Sequence, residues 1–249
     1  KLKEYAMNTK TILLSLLCIV GITTATAQND VWVWRSGNAV KTAHADSITF
    51  TAPVSISGGH AYVDLGLSVK WATCNVGAMW PEDYGDYFAW GETAAKSDYL
   101  WATYKFTTDM TKYNATDGKT VLDAEDDAAA ANWGGDWRMP THDEIKELLN
   151  TDNCTWEWQA AGNTAFGGVA GYKVTSKKSG YTDKYIFLPA AGYRDGSSLY
   201  RAGEWGYCWS ATLYKGYVSG ACYLFFDRYR KTSLSTTARY GRPVRPVCP

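Results

Sequence analysis

The 249-residue sequence has no excess of charge of either sign, because 25 basic side chains stand against 25 acidic ones. Proteins that bind nucleic acids use clustered lysines and arginines to displace counterions, so this balance argues against a nucleic-acid partner. The chain also has only 7 prolines and 3 histidines. What it does have is 12 Trp, 18 Tyr and 23 Gly, a composition that indicates a folded, loop-rich module.

The sequence lacks a run of about twenty apolar residues of the kind that a membrane-spanning helix needs. Its longest apolar stretch, residues 12–22, follows Lys10 and precedes a small-x-small tripeptide that ends at Ala27. This order is typical of a secretory signal peptide, which we expect to cover residues 1–27, with residues 1–6 upstream of the natural start at Met7. We therefore expect export to the periplasm, the cell surface or the medium, and no integral membrane segment in the mature chain.

The cysteines show no C-x-x-C spacing, and an odd number of them follows the signal peptide. Lipid attachment at Cys18 is not expected, because Leu17 stands where that processing requires a small residue. Export permits disulfides, and Cys208 with Cys222 is the pair to test because both lie near a predicted hairpin. The remaining three are Cys74, Cys154 and Cys248.

The mature chain divides into three parts by its pattern. Residues 28–50 contain two β-branched and aromatic runs around Ser36-Gly37-Asn38, which predicts a small hairpin. Residues 51–59 are rich in Ser and Gly and are predicted to form a linker. Residues 60–249 form the main domain.

The main domain is predicted to be α+β, with short antiparallel strands among long loops. Alternating Leu65, Leu67 and Val69 predict a strand within residues 62–77. An acid-rich start followed by four alanines predicts a helix over Asp123–Asn132. Thr141 and Glu144 form a capping box before a second helix over Ile145–Leu149. Further strands are predicted at Tyr172–Ser176, Tyr185–Leu188, Tyr207–Ser210, Tyr223–Phe226 and Val244–Val247.

Motifs for catalysis or metal binding are absent from the sequence. The histidines are His44, His60 and His142, which have no metal-ligand spacing, and there is no nucleophile elbow or phosphate-binding loop. The acidic pairs, such as Asp126-Asp127, are typical of helix starts rather than of a glycosidase. We expect no cofactor, no metal and no enzymatic activity.

Six ordered segments carry a resemblance to a known family: YVDLGLSVKWATCNVG from Tyr62, YGDYFAWGET from Tyr84, NWGGDWRMPT from Asn132, IFLPAAGYRDG from Ile186, GYCWSAT from Gly206 and RYGRPVRPV from Arg239. Together they resemble the Fibrobacter-type major paralogous domain of Bacteroidetes over residues 60–248. This resemblance implies a C-type-lectin-like fold with two short helices, small antiparallel sheets and a loop-rich ligand face. The triplets with which C-type lectins bind calcium are missing, which disfavours a calcium site.

The resemblance also suggests roles for individual residues. We expect Trp133, Trp137, Trp209 and Phe226 to anchor the core. Arg138, Arg239 and Arg245 are expected to pair with acids or loop carbonyls rather than to bind an anion.

The stretch Thr212 to Tyr240 is the predicted binding surface. On its strand, Leu224 and Phe226 should face the core, whereas Tyr223, Phe225 and Asp227 should point away from it. Tyrosines and arginines on loops are typical of binding surfaces. The predicted ligand-binding residues are Leu213, Tyr214, Lys215, Tyr217, Tyr223, Phe225, Asp227, Arg228, Tyr229 and Arg230.

A narrower hypothesis follows from the resemblance. Target proteins of diversity-generating retroelements share this layout, and their scaffold residues stay constant while the residues between them change. The residues that match the constant positions are Trp209, Ser210, Thr212, Leu224, Phe226, Gly241, Arg245 and Pro246.

These observations predict an exported, non-catalytic recognition module for a protein or glycan ligand. Two alternatives remain open. One is a surface or fimbria-associated structural subunit, and the other is a degenerate enzyme related to formylglycine-generating enzymes, which share the fold superfamily.

Overall fold

The computed structural model describes residues 55–106, 110–216 and 219–249, together with two strands near the amino end. These are β1 (Val31–Arg35) and β2 (Asn38–Thr42), which pair antiparallel as the predicted hairpin. They belong to a unit that is separate from residues 53–249. The predicted signal peptide lies outside the described residues.

Within the unit of residues 53–249, the described residues form small antiparallel sheets joined by long loops, with two helices, which confirms the α+β class. The strands are β3 (Ser55–Ser57), β4 (His60–Val63), β5 (Lys70–Ala72), β6 (Cys154–Gln159), β7 (Gly171–Ser176), β8 (Tyr185–Pro189), β9 (Tyr193–Asp195), β10 (Ser198–Tyr200), β11 (Gly206–Leu213), β12 (Gly220–Phe226), β13 (Lys231–Thr237) and β14 (Val247–Cys248). Four of them are ordered β14-β5-β4-β3, three are ordered β6-β7-β8, two form the pair β9-β10, and three are ordered β11-β12-β13.

The helices are α1 (Ala128–Trp133) and α2 (His142–Leu149), and three short 3-10 helices lie at Trp101–Thr103, Ala124–Asp126 and Thr164–Phe166. No helix in the described part of the chain has the length and apolarity that crossing a bilayer requires.

Both helices begin where the sequence places a capping residue. The Asp127 carboxylate accepts hydrogen bonds from the backbone N–H groups of Ala129 and Ala130, so α1 starts there and not at Asp123 as predicted. The acidic residues before it form a 3-10 turn instead. For α2, the predicted capping box of Thr141 and Glu144 is confirmed.

Several strand predictions are wrong in detail. Residues 62–77 contain the end of β4 and all of β5 rather than one strand, because Gly66 adopts φ +69° and its N–H bonds to the Asp64 carboxylate. The predicted linker contains β3, which pairs with β4. The last strand is confined to Val247–Cys248. Strands β6, β9, β10 and β13 were not predicted.

The sheet β11-β12-β13 separates two hydrophobic cores, and β12 is buried along its whole length. Its residues Tyr223 and Phe225 contribute to one core, and Leu224 and Phe226 to the other. Of the predicted anchors, Trp137, Trp209 and Phe226 are fully buried, whereas Trp133 is only partly buried.

The predicted structural role of the three arginines is confirmed. Arg138 makes a two-pronged bond to the Glu144 carboxylate. Arg239 bonds to the Asp195 carboxylate and to a loop carbonyl.

Arg245 is fully buried, and its guanidinium donates to backbone carbonyls on two segments and to the side-chain amide oxygen of Asn75. The acceptors are the carbonyls of Ala72 at 3.0 Å, Thr73 at 2.5 Å and Phe187 at 2.9 Å, and Asn75 Oδ1 at 2.8 Å. It therefore holds loops that are far apart in sequence.

A second buried cation, Arg242, lies among aromatic rings. Its guanidinium carbon is 3.6 Å from the ring centre of Tyr223, 4.4 Å from that of Tyr207 and 4.6 Å from that of Trp209. Burial lowers the pKa of Arg242, while the faces of the rings attract its charge.

Asp126 connects its own segment to the segments at Lys105 and at Lys112–Tyr113. Its side chain is 2% exposed and accepts bonds from Lys105, Lys112 and the Tyr113 hydroxyl. Burial alone would raise the pKa of Asp126, but these donors outweigh it and hold the pKa below its ordinary value.

The five cysteines of the described residues form no disulfide. Cys208 lies opposite Leu224, and Cys222 lies opposite Ser235 on the other neighbouring strand, so the two sulfurs do not meet as a cross-strand pair. Burial raises the pKa of the Cys208 thiol to about 11.

Replacing Arg245 by methionine should lower the free energy of unfolding by about 3–5 kcal/mol, because it leaves buried carbonyls without donors. Urea denaturation checks this. Arg201→Met is the matched control, since that guanidinium is exposed, and its effect should stay near about 0.5 kcal/mol. Equal effects of the two substitutions would contradict the role given to Arg245.

Asp126→Asn should lower the free energy of unfolding by about 2 kcal/mol at neutral pH, since it removes a buried charged acceptor. The folded-state pKa of Asp126 lies below the unfolded value, so its contribution is complete above about pH 4 and is lost as the pH falls through the folded-state pKa. Urea denaturation of both proteins should show the difference narrowing on acidification. A difference independent of pH would argue against this assignment.

Candidate functional site

The structure distributes the predicted binding residues over three places rather than one surface. Tyr223 and Phe225 are buried, at 7% and 3% exposure. The expectation that their face points away from the core is wrong, because β12 packs against a hydrophobic core on both sides. Tyr217 lies outside the described residues.

Leu213, Tyr214 and Lys215 lie where β11 ends, beside the start of β12. They line a cavity of about 400 Å³ together with Met110, Tyr113, Asn114, Ala115, Gly118, Lys119, Thr120 and Ser219. The Asp227 turn lies at the other end of β12, which is about 20 Å long at the usual rise per residue. These three residues therefore do not share a site with Asp227.

Asp227, Arg228 and Tyr229 line a second cavity, of about 330 Å³, which we call the tryptophan groove. Its other lining residues are Trp158, Ala160, Ala161, Ala170, Gly203, Glu204 and Trp205. Arg230 lies beside the groove, where its guanidinium stacks on Phe225 at 4.9 Å.

The turn between β12 and β13 is fixed by Asp227. Its Oδ1 accepts from the N–H groups of Tyr229 at 2.8 Å and Arg230 at 2.9 Å, and its own N–H donates to the Arg230 carbonyl at 2.9 Å. This turn projects Tyr229, which is 84% exposed, into solvent. The highly exposed ring of Tyr229 is thus held on an ordered turn.

The two tryptophans of the groove are partly buried and held by neighbouring rings. Trp158 lies on β6 and makes an edge contact with Tyr172 at 5.2 Å. Trp205 contacts Phe225 at 5.7 Å, and the Arg201 guanidinium lies 4.8 Å from its ring. Rings held in this way present fixed apolar surfaces to a ligand.

Both acidic and basic side chains lie at the groove. Glu204 pairs with Arg201 at 2.9 Å, and Asp227 pairs with Arg230 at 3.3 Å. The Arg228 guanidinium lies 5.1 Å from the Tyr229 ring. The groove therefore offers aromatic faces, carboxylate acceptors and guanidinium donors without a strong net charge.

The sequence analysis did not single out Trp158, Glu204 or Trp205. Trp156 and Trp158 alternate with Glu157, which is a strand signal, but their segment lies about fifty residues before Trp205. Only the pairing of β6 with β7 and the position of the 201–205 turn bring them beside Asp227. The local sequence pattern is enough to predict the strand β6, but it is not enough to predict the groove.

The buried positions bear on the retroelement hypothesis. Residues that match the constant positions, such as Trp209, Leu224 and Arg245, are buried. Tyr223 and Phe225 lie between them and are buried as well, so rewriting these two would disturb the core. Among the described positions that the hypothesis would change, those exposed to solvent are 214–216, 228–230 and Leu234.

A histidine–serine contact is the nearest approach to a catalytic arrangement in the described residues. His142 Nε2 and Ser233 Oγ are 2.9 Å apart. Burial lowers the pKa of His142. A nucleophilic dyad also needs a group that orients the histidine, and Asp143 instead bonds to Lys146. The contact joins α2 to β13.

Three carboxylates, those of Asp123, Glu125 and Asp126, lie close enough together to suggest a metal site. Lys112 Nζ lies among them, at 2.7 Å from Asp123 and Glu125 and 2.5 Å from Asp126. An ammonium group in this position supplies the positive charge that a cation would bring.

Calcium and a chelator should therefore leave the melting temperature unchanged, because Lys112 occupies the centre of the carboxylate cluster. Differential scanning fluorimetry measures this. Lys112→Met serves as the comparison, since removal of the ammonium group exposes the three carboxylates to one another and should lower the melting temperature. A calcium-dependent rise in the unsubstituted protein would show that the cluster binds metal.

Comparisons of the chain with protein-family models, with curated proteins and with solved structures find no match. The geometry of the tryptophan groove therefore carries the functional argument.

Proposed function

We propose that the protein is an exported, non-catalytic recognition module that binds a glycan in the tryptophan groove without a metal ion. The proposal includes the C-type-lectin-like fold and the membership of the Fibrobacter-type family that the sequence motifs suggest. The observation that carries it is the convergence of Trp158, Trp205 and Tyr229 with Glu204 and Asp227 around one cavity.

A sugar ring has an apolar face of C–H groups and a rim of hydroxyls. Aromatic rings stack on the former, and carboxylates and guanidinium groups form hydrogen bonds with the latter. The groove presents both kinds of group within about 330 Å³, a volume that accommodates one or two sugar rings. A purely apolar peptide side chain would make no use of the hydrogen-bonding groups of Glu204 and Asp227.

Metal independence follows from the way the groove's acids are used. The Asp227 carboxylate holds its own turn together, and Glu204 is paired with Arg201. Glu204 and Asp227 do not belong to a cluster of three carboxylates that could hold a metal ion. The cluster of that kind among the described residues lies elsewhere, around Lys112.

A glycan-array screen in calcium and in chelator tests the proposal, with Trp158→Ala and Tyr229→Ala as the variants. Each loses a stacking surface, so affinity should fall about tenfold or more, and chelator should have no effect. Tyr214→Ala is the matched control, because Tyr214 is an exposed tyrosine that lines the other cavity.

Two results would contradict the proposal: glycan binding that persists in the Tyr229→Ala variant, or no binding by the folded parent protein. The second would favour the structural-subunit alternative. Folding of each variant is checked by its melting temperature, and Tyr229 is exposed enough that its replacement should not change it.

A further inference from the structure

Strand β13 is an edge strand with one unused side. It pairs with β12 over seven residues in an unbroken register, from Lys231 opposite Phe226 to Thr237 opposite Gly220. Among the described residues no strand pairs with its other side. Its outer backbone groups are therefore available to a further strand.

The hydrogen-bond pattern identifies which residues point outward. Asp227 N–H donates to the Arg230 carbonyl, and Ala238 N–H donates to the Ser219 carbonyl. Bonded and non-bonded pairs alternate along an antiparallel ladder, so residues 232, 234 and 236 bond to β12. The N–H and C=O groups that point outward are those of Lys231, Ser233, Ser235 and Thr237.

This edge lacks the features by which proteins usually block edge pairing. It has no proline and no bulge, and its only charged residue, Lys231, is at one end. Leu234, at its centre, is 41% exposed. A regular edge with a single charge at one end and an exposed leucine at its centre favours association.

The face of the sheet is covered, whereas its edge is not. Helix α2 contacts all three strands β11, β12 and β13, and His142 bonds to Ser233 from that face. The helix therefore packs against the face, and a fourth strand would pair in the plane of the sheet.

We propose that β13 pairs antiparallel with β13 of a second copy of this chain, about a two-fold axis at Leu234. In that register Lys231 lies opposite Thr237 of the second copy, and Ser233 lies opposite Ser235. All four outward residues then form hydrogen-bonded pairs, and no like charges meet. The two Leu234 side chains face each other in a non-hydrogen-bonded pair, where side chains lie closest.

The strand's own sequence is the argument for a second copy rather than another partner. Residues 231–237 are complementary to a second copy of themselves in the antiparallel register. The apolar Leu234 is central and meets its own copy, and the charged Lys231 meets the uncharged Thr237. The pairing would join the two three-stranded sheets into one of six strands, and it buries a leucine that the single chain exposes.

The two-fold axis would be perpendicular to the sheet, so each face of one copy continues into the same face of the other. The turn that carries Tyr229 precedes Lys231, and Tyr229 lies five residue positions from the axis in each copy. The two turns would thus lie about 30 Å apart along the strands. If the tryptophan groove binds glycans as proposed, the dimer is bivalent, but the pairing itself does not depend on that function.

Cross-linking tests the register directly. In the protein purified after export, Leu234→Cys should form a disulfide-linked dimer under mild oxidation, seen on a non-reducing gel, whereas the parent should not. Thr232→Cys alone should not cross-link, but a mixture with Thr236→Cys should, because these two positions face each other across the axis. Cross-linking of Thr232→Cys alone, or none with Leu234→Cys, would overturn the register.

Sedimentation equilibrium tests the association without cysteines. The parent should be a dimer, and Leu234→Lys should make it monomeric by placing two cations opposite each other. Ile56→Lys is the matched control, since Ile56 is an exposed residue of the edge strand β3, and it should leave the dimer intact. A parent that stays monomeric, or a dimer that survives Leu234→Lys, would overturn the proposal.

Discussion

The burial of β12 on both faces is the constraint on which the rest of the structure depends. A strand with one face in each of two cores needs material on both sides of its sheet, and a chain of this length supplies that material mostly as loops. The loops then need their own supports, which are buried cations. Arg245 satisfies backbone carbonyls on two segments, and Arg242 packs its charge against aromatic rings. Many of the aromatic residues of the sequence pack in the core on the Tyr223 side of β12.

The same constraint explains why the predicted binding surface was partly wrong. An alternating strand in a two-layer protein has a core face and a solvent face, and Tyr223 and Phe225 fit the solvent face of that pattern. Both faces of β12 pack against a core, so the middle of the strand cannot contact a ligand and only its ends reach solvent. One end carries Leu213 and Tyr214, and the other leads into the Asp227 turn that shapes the tryptophan groove.

The parts of the fold that sequence could predict are those fixed by local chemistry. The capping box of Thr141 and Glu144, the pairing of β1 with β2, the strands at Tyr172 and Tyr185 and the bond of Arg138 to Glu144 all follow from neighbouring residues. The parts of the fold that the sequence could not predict depend on contacts between residues far apart in the chain. β13 has a polar sequence without clear alternation and is a strand because β12 pairs with it. Trp158 and Trp205 form one groove only after β6 and the 201–205 turn meet.

The segment from Arg242 to Cys248 has a consequence for how the chain folds. Pro243, Val244 and Pro246 offer their carbonyls to Trp209, Val76 and Ala72, Arg138 exchanges bonds with Val247, and β14 pairs with β5. These contacts join residues 242–248 to segments far away in the sequence, among them the strand β5 near the start of the domain. Bringing such distant residues together costs loop-closure entropy, and most of that cost arises only when the segment docks. The domain cannot complete either core while residues 242–248 are still being synthesised. A chain shortened before Arg242 would keep its local helices and hairpins but would lack the segment that joins them, so the completion of both cores depends on residues 242–248.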